Sequence, residues 1–150
     1  MEIKIVNSPI GNFSSVYGEL GLKKLIYIKH NKSKQPADKN LQILINQFFS
    51  QHGLQDLPTY EFIGTKFQKK AWDYLSKIPR GTTESYSSVA RKIGTPGAAR
   101  AGGTACRLNP IPLFIPCHRV ISSDGNIGGF QGGNIMKKKL IDLEKNNTIS

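Results

Sequence analysis

Acidic residues are scarce in this chain. Ten Asp and Glu stand against 21 Lys and Arg in 150 residues, a formal net charge of +11. Cysteine is scarcer, with only Cys106 and Cys117 present. Two thiols do not make the disulfide framework that staples small secreted domains. Long apolar runs are missing too. No stretch approaches the ~18 residues of a membrane span, and Met1 to Phe13 lacks the apolar centre of a signal peptide. A soluble chain in the cytoplasm, where thiols stay reduced, is the expectation. No internal repeat and no long low-complexity tract occurs. Hydrophobic residues, at 38%, still suffice for an ordinary core and exclude a disordered chain.

The basic excess is lopsided. Residues 1–61 hold seven Lys/Arg and five Asp/Glu, a net of +2. Residues 62–150 hold 14 and five, a net of +9. A polyanion such as nucleic acid suits the second part. On charge alone, a basic surface kept for solubility suits it nearly as well.

Residues 1–30 read as strands. Ile3 and Ile5 alternate around Lys4, Ser8-Pro9-Ile10-Gly11 breaks the run, and Gly18 and Gly21 mark a second turn. Residues 30–40 are polar and aperiodic, as in a loop. A helix is expected over Leu41–Ser50, with Leu41, Leu44, Ile45 and Phe48 on one face and Gly53 beyond its end. A linker near Pro58 then separates a domain of residues 1–61 from one of residues 62–150. The second domain is mostly helical. Thr65 is a plausible N-cap for a helix through Leu75. Residues 87–93 and 98–108 read as two more helices around the turn Gly94-Thr95-Pro96-Gly97, which is the helix-turn-helix pattern. A Gly-rich loop spans Ser122–Gly133, and a last helix covers Ile135–Glu144. The fold class expected is mixed α+β, with a strand-rich first domain and a helical, winged-helix-like second one.

The helix at 98–108 is built of small residues: Ala98, Ala99, Ala101, Gly102, Gly103 and Ala105. Each mid-helix Gly costs roughly 1 kcal/mol relative to Ala. Two in succession suggest that another surface comes close, either a neighbouring helix or a nucleic-acid groove. Arg100 and Arg107 on the same helix favour the groove.

Cys117 is followed by His118. A nucleophilic cysteine must be a thiolate, and a free thiol of pKa ~8.5 is only a few per cent ionised at neutral pH. A histidine within reach, directly or through a water, supplies the missing deprotonation. Such a histidine usually needs a third group to fix its tautomer, and Glu144 is a candidate. Neighbours in sequence need not face each other, so these residues equally describe a buried thiol beside a surface histidine.

The wider context points one way. Pro116-Cys117-His118-Arg119-Val120, after Asn109-Pro110 and before a Gly-rich loop, resembles the O6-alkylguanine-DNA alkyltransferases, the methylated-DNA–protein-cysteine methyltransferases. Gly64-Thr65-Lys66-Phe67-Gln68 with Trp72, then Ser85-Tyr86, Ala98-Ala99-Arg100-Ala101 and Leu140-Ile141-Asp142-Leu143-Glu144 extend the likeness in order across residues 62–150.

The resemblance implies a reaction and a cast. Cys117 would accept an alkyl group from guanine O6 by in-line displacement and keep it as a thioether, so each molecule acts once. His118 would be the base, through a bridging water, and Glu144 would orient it. Asn109 would anchor the turn that builds the pocket. Tyr86 would donate to the extruded base and crowd the neighbouring phosphate. Arg100 would fill the hole left in the duplex, with Ala99, Ala101 and Gly103 letting the helix enter the minor groove. Phe130, Gln131 and Gly132 would line the pocket. The partner implied is duplex DNA carrying O6-alkylguanine, with no cofactor, no membrane and a monomeric protein.

Several positions depart from the family pattern. Phe130 stands where a tyrosine is common, and Gln131 where several relatives have a small residue. With only His30 and His52 in the first domain and no cysteine there, the zinc cluster of some relatives is not expected. Cys106 reads as a small packing residue. Two other readings compete. One is a lesion-binding protein of the same fold, whose members replace the cysteine that is present here. The other is a Cys/His/Glu hydrolase, for which no oxyanion hole is evident.

Overall fold

The computed structural model describes residues 3–29, 37–51, 53–54, 56–95, 97–127, 130 and 132–146. They form two compact units, residues 1–63 and 64–150.

In the first unit, β1 (Ile3–Ser8), β2 (Gly11–Tyr17) and β3 (Leu22–Lys29) make an antiparallel sheet in the order β1-β2-β3. Helix α1 (Lys39–Phe48) packs on β1. Its apolar stripe of Leu41, Ile45 and Phe48 is buried, as are Val6, Phe13, Leu22 and Leu25 of the sheet. The helix starts two residues before the apolar pattern because Asp38 caps it. The Asp38 carboxylate accepts from the Leu41 N–H at 3.0 Å, from Ser15 Oγ at 3.0 Å and from the Tyr17 hydroxyl. A buried carboxylate requires that many donors. At Gly21 (φ +152°) a side chain would run into the Thr59 carbonyl. That close approach lets residues 59–61 pair with β3 through Leu22 N–H to Thr59 O (2.8 Å) and Glu61 N–H to Leu22 O (2.9 Å).

In the second unit, α2 (Lys66–Leu75) opens with a capping box. The Gln68 N–H donates to Thr65 Oγ1 at 3.0 Å, and the Thr65 N–H donates to Gln68 Oε1 at 2.9 Å. Trp72 is buried, and its indole N–H donates to the Ala105 carbonyl at 3.0 Å, tying α2 to α4 (Ala99–Arg107). Between them α3 (Tyr86–Lys92) packs on α4, with Ser85 as its N-cap. Ala71, Ile93 and Ala105 form the centre of this packing, with Phe67 and Tyr74 against it. Helix α5 (Asn134–Asn146) lies against the turn Cys117–Arg119. Among the described residues no helix is long and apolar enough to cross a membrane.

One pairing has no counterpart in the sequence pattern. β4 (Glu84–Ser85) and β5 (Val120–Ile121) run parallel, with Glu84 opposite Val120 and Ser85 opposite Ile121. Two-residue strands are too short to show a period. The pair nevertheless brings the residue after β4, Tyr86, beside the turn before β5, which carries Cys117.

Candidate active site

The segment from Asn109 to Val120 is held by side-chain and backbone bonds rather than by regular structure. Asn109 Nδ2 donates to the Ile115 carbonyl at 2.7 Å, and the Ile111 N–H donates to Asn109 Oδ1 at 2.9 Å. One buried amide therefore staples both ends of a loop whose apolar residues Ile111, Leu113, Phe114 and Ile115 all point inward. Leu113 has φ +73°, unlike any other described non-glycine residue. A bulky residue adopts that conformation only where its surroundings enforce it. At Pro116 (φ −81°, ψ 65°) the Cys117 N–H turns back to the Ile115 carbonyl at 2.8 Å, an inverse γ-turn. Cys117, His118 and Arg119 then form a single 3-10 turn.

Cys117 and His118 are both buried. The His118 imidazole Nε2 lies 2.9 Å from Glu144 Oε2. Glu144 is gripped at the same time by Arg119, whose Nε and Nη2 donate to Oε1 at 2.8 Å and to Oε2 at 2.7 Å, a bidentate fork. Arg119 Nη1 donates to the Ile78 carbonyl at 2.7 Å. Burial alone would raise the Glu144 carboxyl. The Arg119 and His118 hydrogen bonds outweigh it and hold the group at about 2. Burial lowers the His118 pKa although Glu144 pulls it up, so the imidazole rests neutral, as a base must. Burial also pushes the Cys117 thiol above its ordinary value, opposed by a hydrogen bond from Asn109 and by the charge of Lys137. At neutral pH the sulfur is therefore a thiol at rest.

Arg119 and Lys137 have no role in the sequence reading. Lys137 is completely buried, and its Nζ donates to the Val120 carbonyl at 2.6 Å and to the Tyr86 hydroxyl oxygen at 3.4 Å. A signal was present. On α5 the buried stripe is Met136, Lys137, Leu140, Leu143 and Glu144, so Lys137 sits two turns before Glu144 on an inward face. The run Lys137-Lys138-Lys139 masks it as solvated charge. Tyr86 is half-buried at the first turn of α3. Burial and the nearby thiols raise its phenol to about 12.

The remaining expected residues fall into two groups. On α4, Arg100 and Ala101 are exposed, while Ala99 and Gly103 are half-buried. A Cβ at Gly103 would stand 3.9 Å from the Tyr86 ring, so this face of α4 lies against Tyr86. Cys106 is buried in α4, and its thiol is pushed up to about 12, by burial first. In the Gly-rich loop the Phe130 ring meets the His118 ring edge to face, with centroids 6.4 Å apart. At Gly132 a side chain would collide with Met136. Gln131 lies outside the described residues, as do Pro96, Gly128, Gly129, His30 and His52.

This arrangement sets a thiol and a neutral imidazole on one turn, both shielded from water, as a sulfur nucleophile and its base require. Comparison with known proteins agrees with that chemistry. Residues 66–146 match the family model described as 6-O-methylguanine DNA methyltransferase, DNA binding domain. The chain is similar to a probable methylated-DNA–protein-cysteine methyltransferase of Acanthamoeba polyphaga mimivirus, 37% identical over 150 residues and covering 99% of each chain. It is similar to the methylated-DNA–protein-cysteine methyltransferase of Methanosarcina barkeri, 40% identical, covering 98% of this chain and 99% of that one. Among solved structures, Mycobacterium tuberculosis OGT in complex with DNA superposes with a TM-score of 0.89 at 33% identity, covering 100% of this chain and 96% of that one.

Proposed function

This chain belongs to the 6-O-methylguanine DNA methyltransferase family, and on that premise we propose that Cys117 is the residue that receives the alkyl group. The protein repairs DNA by moving an alkyl group from O6-alkylguanine onto its own cysteine, without a cofactor and once per molecule. It works as a monomer, in the cytoplasm where thiols stay reduced. Residues 62–150 carry both DNA binding and the acceptor.

The observation that carries the assignment is the buried line from Glu144 through His118 to the turn bearing Cys117. Neutral His118 takes the thiol proton through a bridging water, while Glu144 holds the imidazole and stabilises the charge it gains. The sulfur attacks the alkyl carbon opposite O6. The S–C bond forms as the C–O6 bond breaks, and the electron pair goes to the base. One proton passes to that base, so it leaves as ordinary guanine and His118 ends neutral. The thioether has no hydrolytic exit. Tyr86 donates a hydrogen bond to the base as charge develops on it. Phe130 and Gly132 wall the pocket, with Gln131 next to them in sequence.

A base inside a duplex cannot reach a buried sulfur, so it must be extruded, which costs a few kcal/mol. Helices α3 and α4 act as a helix-turn-helix whose second helix enters the minor groove. The small residues Ala99, Ala101 and Gly103 permit the approach, and Arg100 replaces the extruded base in the stack. Intact mass spectrometry after exposure to O6-methylguanine duplex tests the whole. A gain of one methyl group, mapping to Cys117 and stopping at one per molecule, is expected. An unchanged mass, or equal methylation of C117A, overturns it.

A further inference from the structure

A lysine withdrawn completely from solvent is rare, because its ammonium must replace lost hydration with oxygen or anion partners. Lys137 is such a residue, 0% exposed in the middle of the unit that holds the acceptor. Its Nζ donates to the Val120 carbonyl at 2.6 Å and to the Tyr86 hydroxyl at 3.4 Å, and it stands 5.7 Å from the centre of the Tyr86 ring. An ammonium has donors only. The Tyr86 oxygen therefore accepts from Lys137, and the phenol proton is left to be given elsewhere. Val120 lies three residues after Cys117, so the same contact fixes Lys137 beside the turn that carries the sulfur.

Around the thiol, His118 and Arg119 follow it on the same turn, Tyr86 of α3, Cys106 of α4 and Lys137 of α5 couple to it, and Asn109 donates to it. Arg119 is spent on Glu144, and His118 rests neutral. The charge that favours the Cys117 thiolate is that of Lys137; burial lowers the Lys137 pKa, and the two cysteines, when ionised, oppose that by favouring the charged lysine.

We propose that Lys137 is a positioning residue of the transfer, orienting the Tyr86 hydroxyl as a donor toward the base and supplying the positive charge beside which the Cys117 thiolate forms. The proposal rests on the reading of Cys117 as acceptor and gives that reading its counter-charge. It explains how a buried thiol reaches its ionised form when His118 is an uncharged base.

The test uses the full chain in a C106S background, so that one thiol remains. Iodomethane, small and neutral, reports the thiolate fraction without any guanine. Methylation of Cys117 is followed by intact mass from neutral to alkaline pH. In K137M and K137Q the reaction should slow about tenfold at neutral pH and recover at a pH about one unit higher. K137Q keeps a donor for the Val120 carbonyl, so a merely structural lysine predicts a profile like that of the parent, and that result overturns the proposal. Transfer from free O6-benzylguanine should stay slow in K137Q even where iodomethane has recovered; full recovery of both overturns the Tyr86 part. Should both variants unfold, the Lys137 ¹³Cε titration in the parent decides. In the alkaline range where Cys117 ionises, methylating it removes the thiolate and should lower the lysine pKa, and an unmoved titration overturns the coupling. Failure of duplex repair with a shifted iodomethane profile would sink the repair reading and leave the lysine–thiol coupling standing.

Discussion

Asn109 satisfies two backbone groups at once, the Ile111 N–H and the Ile115 carbonyl. Each becomes a buried, unpaired group in N109A, and each such group costs about 1–3 kcal/mol. A stability loss of about 2–6 kcal/mol in urea unfolding is expected, with a parallel loss of alkyl transfer. Wild-type stability in N109A would show that the loop 109–117 is held by its apolar packing alone. Glu144 makes a pH prediction. Its carboxyl sits at about 2 in the fold against an ordinary 4.5. The unfolded chain thus binds the proton first as pH falls. The stability it contributes is complete above pH 4.5 and is lost as pH drops toward about 2. That contribution is about 3 kcal/mol. The depressed His118 pKa works in the same direction, since low pH forces charge onto a buried imidazole. Urea midpoints measured down this window should fall steeply in the parent and more gently in E144Q. Equal slopes would show that the ion pair does not govern acid unfolding.

At the scale of elements, α5 carries two site residues of opposite charge two turns apart, Lys137 and Glu144. One helix therefore carries both the lysine that reaches the Val120 carbonyl and the Tyr86 hydroxyl and the carboxylate that pairs with His118. The short parallel pair β4–β5 does the complementary task of bringing Tyr86 to the Cys117 turn. α2 is different, because its capping box supports the unit without reaching the site. Replacing Thr65 with Ala should cost about 1 kcal/mol. The melting temperature should drop while single-turnover transfer at low temperature keeps its rate. A transfer rate that fell with the cap would mean that the α2 terminus reaches the DNA or the pocket.

For the whole molecule the asymmetry of charge matters most, with +2 on residues 1–61 and +9 on residues 62–150. Binding of duplex DNA should weaken linearly in log–log form with salt, by about 0.9 of a decade per decade of salt for each phosphate neutralised. A flat dependence would remove the basic surface from the DNA interface. R100A should impair repair of a duplex far more than transfer from free O6-benzylguanine, because only the duplex demands extrusion. Equal losses on the two substrates would count against the role of Arg100 in the stack.

Helix positions, the order of strands before helices, and the motif residues were legible in the sequence because each depends on neighbours one to four residues away. Thr65, the apolar stripe of α1 and the small residues of α4 are local signals of this kind. So is Pro116-Cys117-His118-Arg119-Val120, whose resemblance to a family named the chemistry before any geometry. Apart from Glu144 with His118, which the resemblance supplied, the sequence does not contain which side chains meet across long separations. Arg119 and Glu144 are 25 residues apart, and Lys137 and Tyr86 are 51. Their pairing depends on how α5 lies against the turn and how β4 meets β5. The charge state of the site is likewise a tertiary property. A free thiol and a free histidine differ little between sequences, and only burial beside Lys137, Asn109 and Glu144 makes the one a resting thiol and the other a neutral imidazole.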